Sequence, residues 1–278
     1  SDTVTNSTLT NNGDGVYIFY GSNNVISRDT ISNDGGDGVY IGGFNNIVTN
    51  SYIANNYDFG VFVGNPNNKV VNSTITNNGY GVFIGNYYSI ESNSPITNSN
   101  DGVTIIIYCC FNNTVANSYI TNNSYYGIYL ADTSGDHIYN NLFNNKNNVG
   151  IYDSIAYWNT TLRAGRNIVG GDMIGGNAWL SPNGTGFSQV TSALPNDPYI
   201  CDQPYVISGN NTDYLPLKYT AYSVTFTESG LPAGTQWSVT LNGTAKSSTS
   251  DSITFLEPNG VYNYKVESPV SGGSGIRY

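Results

Sequence analysis

The chain has 278 residues, of which 38% are hydrophobic and only 10% charged, with a net charge of −10. Asn, Ser, Thr, Gly and Tyr stand where charged residues usually do, which excludes a disordered chain and argues against nucleic acid as a partner. No stretch approaches the roughly eighteen apolar residues of a membrane-spanning helix, so no span is expected.

From residue 1 to 153 a phrase of the form Gly-Val-aromatic-Ile returns seven times, at Gly15, Gly38, Gly60, Gly81, Gly102, Gly127 and Gly150. The steps between these glycines are 23, 22, 21, 21, 25 and 23 residues, the signature of a solenoid. An apolar column runs through Leu9, Ile31, Ile53, Ile75, Ile96, Ile120 and Phe143, with Asn two residues later each time: Asn11, Asn33, Asn55, Asn77, Asn98, Asn122 and Asn145. A second apolar column reads Val4, Ile26, Val48, Val70, Ile90, Val115 and Ile138, with Asn-Asn pairs marking the turn before it.

Each repeat therefore holds three short strands. Strand side chains alternate between faces, so Val16 and Ile18 share a face and Tyr17 takes the other. Closed on itself, such a coil makes an all-β right-handed parallel β-helix with three sheets. The Asn column is expected to point inward and bond from coil to coil, which satisfies amides that are costly to bury bare. The longest apolar run, Val103 to Phe111, is strand-like and interrupted by Thr104. It contains Cys109 and Cys110; a disulfide from Cys201 to either one, and free buried thiols, both stay open.

The repeat Asn-Ser-x-Ile-Thr-Asn-Asn followed by Gly-Val/Ile-Tyr-Ile/Leu resembles the right-handed β-helix repeats of the NosD-type and carbohydrate-binding/sugar-hydrolase group. The phrases Trp158-Asn159-Thr160-Thr161, Gly175-Gly176-Asn177-Ala178-Trp179, Ile200-Cys201-Asp202 and Asp213-Tyr214-Leu215-Pro216-Leu217 are similar to that group's ending. The resemblance reaches about residue 218 and is close to secreted archaeal surface proteins. It implies a β-helix over 1–153 and terminal coils and capping loops over 154–218. Relatives carry an acidic loop near residues 192–199; here Ser192 to Tyr199 lacks the spaced oxygen ligands of a calcium loop, so no metal is carried over.

Beyond residue 218 the texture changes. Ser223–Thr227, Gln236–Leu241, Ile253–Phe255 and Val261–Val266 alternate like strands, and Asn242-Gly243 signals a hairpin. Residues 219–278 resemble the small Ig-like sandwich modules of archaeal surface-layer and secreted proteins, with the last strands expected to be missing. An excerpt of a longer protein, and completion of open edges by neighbouring copies, are the two leading explanations.

No catalytic constellation is visible. Asp14, Asp37 and Asp101 precede repeat glycines and read as turn residues, and the lone His137 as a solvated turn residue. With one Met, one His and three Cys, neither a copper site nor any other cofactor is expected. Eight sequons, several of them expected by chance in so Asn-rich a chain, point to an extracellular glycoprotein only together with the few charges and the acidic balance. Asn112, Asn159, Asn183, Asn210 and Asn242 are candidate acceptors, and Asn6, Asn72 and the ladder residue Asn122 weaker ones. The outward column Tyr17, Tyr40, Phe62, Phe83, Tyr129 and Tyr152 is the candidate contact surface. The expected function is a non-enzymatic, cell-surface or filament-forming structural protein whose partners are copies of itself or other surface proteins. The alternative is a carbohydrate-binding or polysaccharide-cleaving β-helix, for which a glycan would be the partner.

Overall fold

The computed structural model describes residues 1–241, 244–268 and 270, with 107–110 described by backbone alone. The chain divides into two compact units, Ser1–Tyr219 and Thr220–Tyr278.

The first unit is a parallel β-solenoid of about seven turns. The phrase glycines lead the strands of one column: Val16–Ile18, Val39–Ile41, Phe59–Val63, Tyr80–Ile84, Asp101–Phe111 and Tyr126–Tyr139. Their register is in phase, Val39 opposite Val61, Val61 opposite Val82 and Val82 opposite Val103. Val and Ile of each phrase therefore stack inward, and Val39, Ile41, Val61, Val63, Val82 and Ile84 are all essentially inaccessible. Each such side chain contributes roughly 2 kcal/mol by leaving water. A second column, from Thr8–Thr10 to Ala178–Leu180, forms an eight-stranded parallel sheet among the described residues. The remaining column begins at Thr3–Thr5 and reaches Ile155–Tyr157. It was expected as a separate sheet, but it joins the phrase column because Tyr126–Tyr139 runs unbroken round the corner between them.

The repeat glycine is a packing requirement. A Cβ on Gly81 would stand 2.3 Å from the carbonyl oxygen of Gly102 and 2.5 Å from Cγ2 of Ile96. Coils stacked at strand spacing leave no room there for a methyl group.

The corners account for the asparagines. Asn11, Asn33, Asn55, Asn77, Asn98 and Asn122 all have φ between 55° and 60°, a left-handed conformation that Asn tolerates better than most residues. That twist resets the in-out alternation, so these side chains are exposed. The inward ladder lies one residue later, a correction to the expectation from spacing. Asp34 Oδ1 accepts the Asn12 N–H, Asn56 Oδ1 the Asp34 N–H and Asn78 Oδ1 the Asn56 N–H, at 2.8 to 3.0 Å. Asn145, the seventh residue of the expected column, is the exception: it is buried and accepts the Asn123 N–H. Two further ladders follow the same rule. Asn46 accepts from Asn24 and Asn68 from Asn46 at one corner, and Ser51, Ser73, Ser94 and Ser118 line another.

The solenoid closes at its C-terminal end on Phe143, Trp158 and Trp179, all fully buried. Trp158 Nε1 donates to Asn211 Oδ1, and Trp179 Nε1 to Asp213 Oδ2, both at 2.9 Å. Asp213 Oδ2 also accepts the Asn177 N–H, so the serine ladder continues through Asn141 and Asn177 to Asp213.

Among its described residues the second unit has two small antiparallel sheets. Tyr222–Thr227 pairs with Ser252–Glu257, while Trp237–Leu241 lies between Thr244–Ser248 and Tyr264–Val266. Trp237, Val239, Leu241, Ile253 and Phe255 form their shared core. The Asn242-Gly243 hairpin turn lies outside the described residues, although Leu241 and Thr244 on either side of it are paired.

Candidate functional site

The outward faces of the phrase strands carry the candidate site. Tyr17, Tyr40, Phe62 and Phe83 stack in sequence with centroids 4.7, 4.9 and 4.9 Å apart and planes within 21°, 2° and 4°. The spacing is that of neighbouring strands, so the backbone register sets the stack. Tyr40 and Phe62 have a ring against each face, which leaves mainly their edges to solvent. Phe59 and Tyr80 form a second, shorter column beside the first, 5.2 Å apart.

At the fifth coil both columns break. Thr104 stands between Phe83 and Tyr129, and Asp101 is paired with Tyr126. Tyr126 and Tyr129 stack at 5.6 Å on the next coil. A cleft of about 330 Å³ opens here, lined by Asp101, Tyr125, Tyr126, Tyr129 and Asn147. Asp101 is 9% exposed and its Oδ1 accepts the Tyr126 N–H at 3.0 Å. Burial holds its carboxyl above the ordinary carboxylate range, against that hydrogen bond. Thr104 is buried and its Oγ1 has no partner.

Tyr152 does not belong to the aromatic column. Its coil is shifted by two residues: Tyr129 lies opposite Gly150, and Tyr152 opposite Ala131. Val149 and Ile151 become the inward pair, and a Cβ on Gly150 would strike the Tyr129 ring at 2.7 Å.

The acidic residues before the repeat glycines act on the backbone. Asp14 Oδ1 accepts the Asp37 N–H and Asp37 Oδ1 the Phe59 N–H, at 2.8 and 3.1 Å. Burial pushes Asp37 up to about 6. The arrangement is a row of caps and not an acid–base pair across a substrate. His137 sits in a strand, not a turn, exposed and stacked 5.0 Å from Tyr157.

One buried acid was invisible to the spacing. Glu91, not Ile90, fills the core position opposite Val70 and Val115. It is fully buried, its Oε1 accepts the Ser118 hydroxyl at 3.0 Å, and its Oε2 has no partner. Burial pushes this carboxyl up to about 8, with the Ser118 and Ser94 hydroxyls working the other way. Counting back two residues from the left-handed Asn of each corner, Asn72, Asn93 and Asn117, would have found Val70, Glu91 and Val115.

Of the sequon residues, Asn6, Asn72, Asn112, Asn122, Asn183 and Asn210 are exposed. The side-chain amide of Asn159 is engaged at both ends, donating to the Thr160 carbonyl and accepting from the Tyr214 N–H. Asn242 lies outside the described residues, as do the side chains of Cys109 and Cys110. Cys201 is a free, buried thiol, and burial pushes it up to about 12.

Stacked parallel coils, inward side-chain ladders and a tryptophan-lined end define a parallel β-helix protein. A family model described as "Periplasmic copper-binding protein (NosD)" matches residues 1–184. The chain belongs to the NosD family. No curated protein and no solved structure matched it. The copper in that description finds no fitting donor set here: among the described residues no group of three or more His, Cys, Asp or Glu could hold a metal ion. No helix among the described residues is long and apolar enough to cross a membrane.

Proposed function

We propose that this chain is a non-enzymatic, extracellular structural protein of the cell surface that assembles with copies of itself or other surface proteins. The observation that carries the reading is the self-stacked aromatic sheet. A sugar ring stacks on an aromatic face, and in Tyr40 and Phe62 both faces are already covered by neighbouring rings. What the sheet offers instead is a row of ring edges and half-buried apolar surface, suited to packing against another protein. The second unit adds exposed apolar residues on and beside its strands, including Leu256, Val261, Tyr264 and Val266, and strands that among the described residues are paired on one side only, which suits strand addition. We read this unit as an Ig-like module.

The test is light scattering with electron microscopy of the chain and of a Tyr40→Ser/Phe62→Ser variant. Concentration-dependent association or ordered fibres, lost in the variant while the solenoid stays folded, is the expected result. Dispersed monomers that bind or cleave a polysaccharide would overturn the reading in favour of a carbohydrate-active β-helix.

A further inference from the structure

The notch at the fifth coil is unlike the rest of the aromatic sheet. On the fourth coil the two outward positions are Tyr80 and Phe83, and on the sixth Tyr126 and Tyr129. On the fifth they are Asp101 and Thr104, a carboxylate and a hydroxyl in place of two rings. The substitution places one acidic group among aromatic rings in a cleft of about 330 Å³.

Its surroundings do not neutralise that group. No lysine or arginine lines the cleft. Oδ1 of Asp101 accepts the Tyr126 N–H, and the residue lines the cleft. A carboxylate this little exposed, with no cationic side chain lining its cleft, is stabilised in its charged form by a cation that joins it. Here Tyr125 is more than half exposed and Tyr126 and Tyr129 are partly buried, so rings border the cleft beside the carboxylate. Aromatic rings close to a carboxylate recognise organic cations through the negative ring face and the opposite charge together. The net charge of −10 draws cations toward the molecule as a whole.

We propose that the cleft formed by Asp101, Tyr125, Tyr126, Tyr129 and Asn147 is a binding site for an organic ammonium group. Asp101 supplies the counter-charge, the tyrosines supply the ring contacts, and the exposed Asn147 amide contacts the ligand's polar substituents. An anionic ligand is repelled by Asp101, and a neutral one forfeits the charge interaction. The site is independent of the assembly face, whose continuous stack ends at Phe83.

The test is calorimetric titration of the full chain with three ammonium probes: glucosamine, lysine amide and choline. N-acetylglucosamine serves as the neutral counterpart of glucosamine. Saturable binding of at least one ammonium probe is expected, with N-acetylglucosamine at least tenfold weaker than glucosamine if the amino sugar binds. The tightest probe identifies the source of the ammonium group. Asp101→Asn keeps the oxygen that accepts the Tyr126 N–H and removes the charge, so affinity should fall tenfold or more while the thermal midpoint holds or rises. Tyr129→Ala should weaken binding as well. No saturable binding by any probe, equal binding of N-acetylglucosamine and glucosamine, or unchanged affinity in Asp101→Asn would each overturn the proposal. None of these outcomes bears on self-association, so the two readings fail separately.

Discussion

Glu91 shows how one side chain can set the pH response of a solenoid. In the unfolded chain a glutamate releases its proton near pH 4.5, whereas in the folded core it holds the proton to about 8. Between those values ionisation favours the unfolded chain, so the stability linked to this group is full below pH 4.5 and declines as pH rises, levelling off only above about 8. Asp213, pushed up to about 7 by burial, and Asp37, up to about 6, act with the same sign. Replacing Glu91 by Val matches its neighbours Val70 and Val115 and removes the buried acid. Glu91→Val should raise stability at pH 7.5 by about 2 kcal/mol and flatten the decline between pH 5 and 8, measured by urea unfolding across pH. An unchanged slope would show that Glu91 does not carry the effect. The residue escaped the sequence because Ile90, its neighbour, satisfied an apolar column, and only the backbone turn at Asn93 fixes which of the two points inward.

At the scale of the corner, two residues do separate jobs. The left-handed Asn turns the chain, and the next residue accepts a backbone N–H from the preceding coil. Asn78 also donates its amide to the Ile53 carbonyl at 3.2 Å, and its Oδ1 accepts from both the backbone and side chain of Asn56. Asn78→Ala should therefore cost about 2–3 kcal/mol, since it strands buried groups on the adjacent coil. Asn77→Gly, one residue earlier and exposed, should cost less than about 1 kcal/mol, because glycine adopts the same φ. Equal losses in the two variants would refute this division. Gly81→Ala forces a methyl group against the next coil and should cost about 3 kcal/mol in the same assay. The period, the inward Val and Ile and the outward rings up to Phe83 were all legible, because strand alternation carries them directly. The ladder was misplaced by one residue, since alternation fails wherever φ turns positive. Tyr152 was misassigned for a related reason: a glycine and an aromatic recur at the expected spacing, but the coil slips by two residues and puts Gly150 under Tyr129. The notch was legible only as a gap at Thr104; that Asp101 shares it required the register.

For the solenoid as a whole, the C-terminal end works as a plug. Asp213 holds the Asn177 and Leu215 backbone N–H groups and the Trp179 indole, so Asp213→Ala leaves two buried donors and a half-buried one without this acceptor. It should lower stability by about 3 kcal/mol or more, with the loss visible first in tryptophan fluorescence. Membership of the NosD family leads to a different test. Incubation with Cu(II) or Cu(I) followed by desalting should leave less than one equivalent of copper on the protein, and one retained equivalent would show a ligand set outside the described residues. The side-chain ladders have a final implication, which concerns length. Most ladder bonds run from one coil to the next and no further, so a coil contributes the same bonds wherever it stands in the stack. Gain or loss of one whole repeat leaves every remaining corner with a partner, while gain or loss of a few residues breaks three ladders at once. Lineages that carry this architecture should therefore differ in size by whole repeats, as a ruler changes by whole divisions.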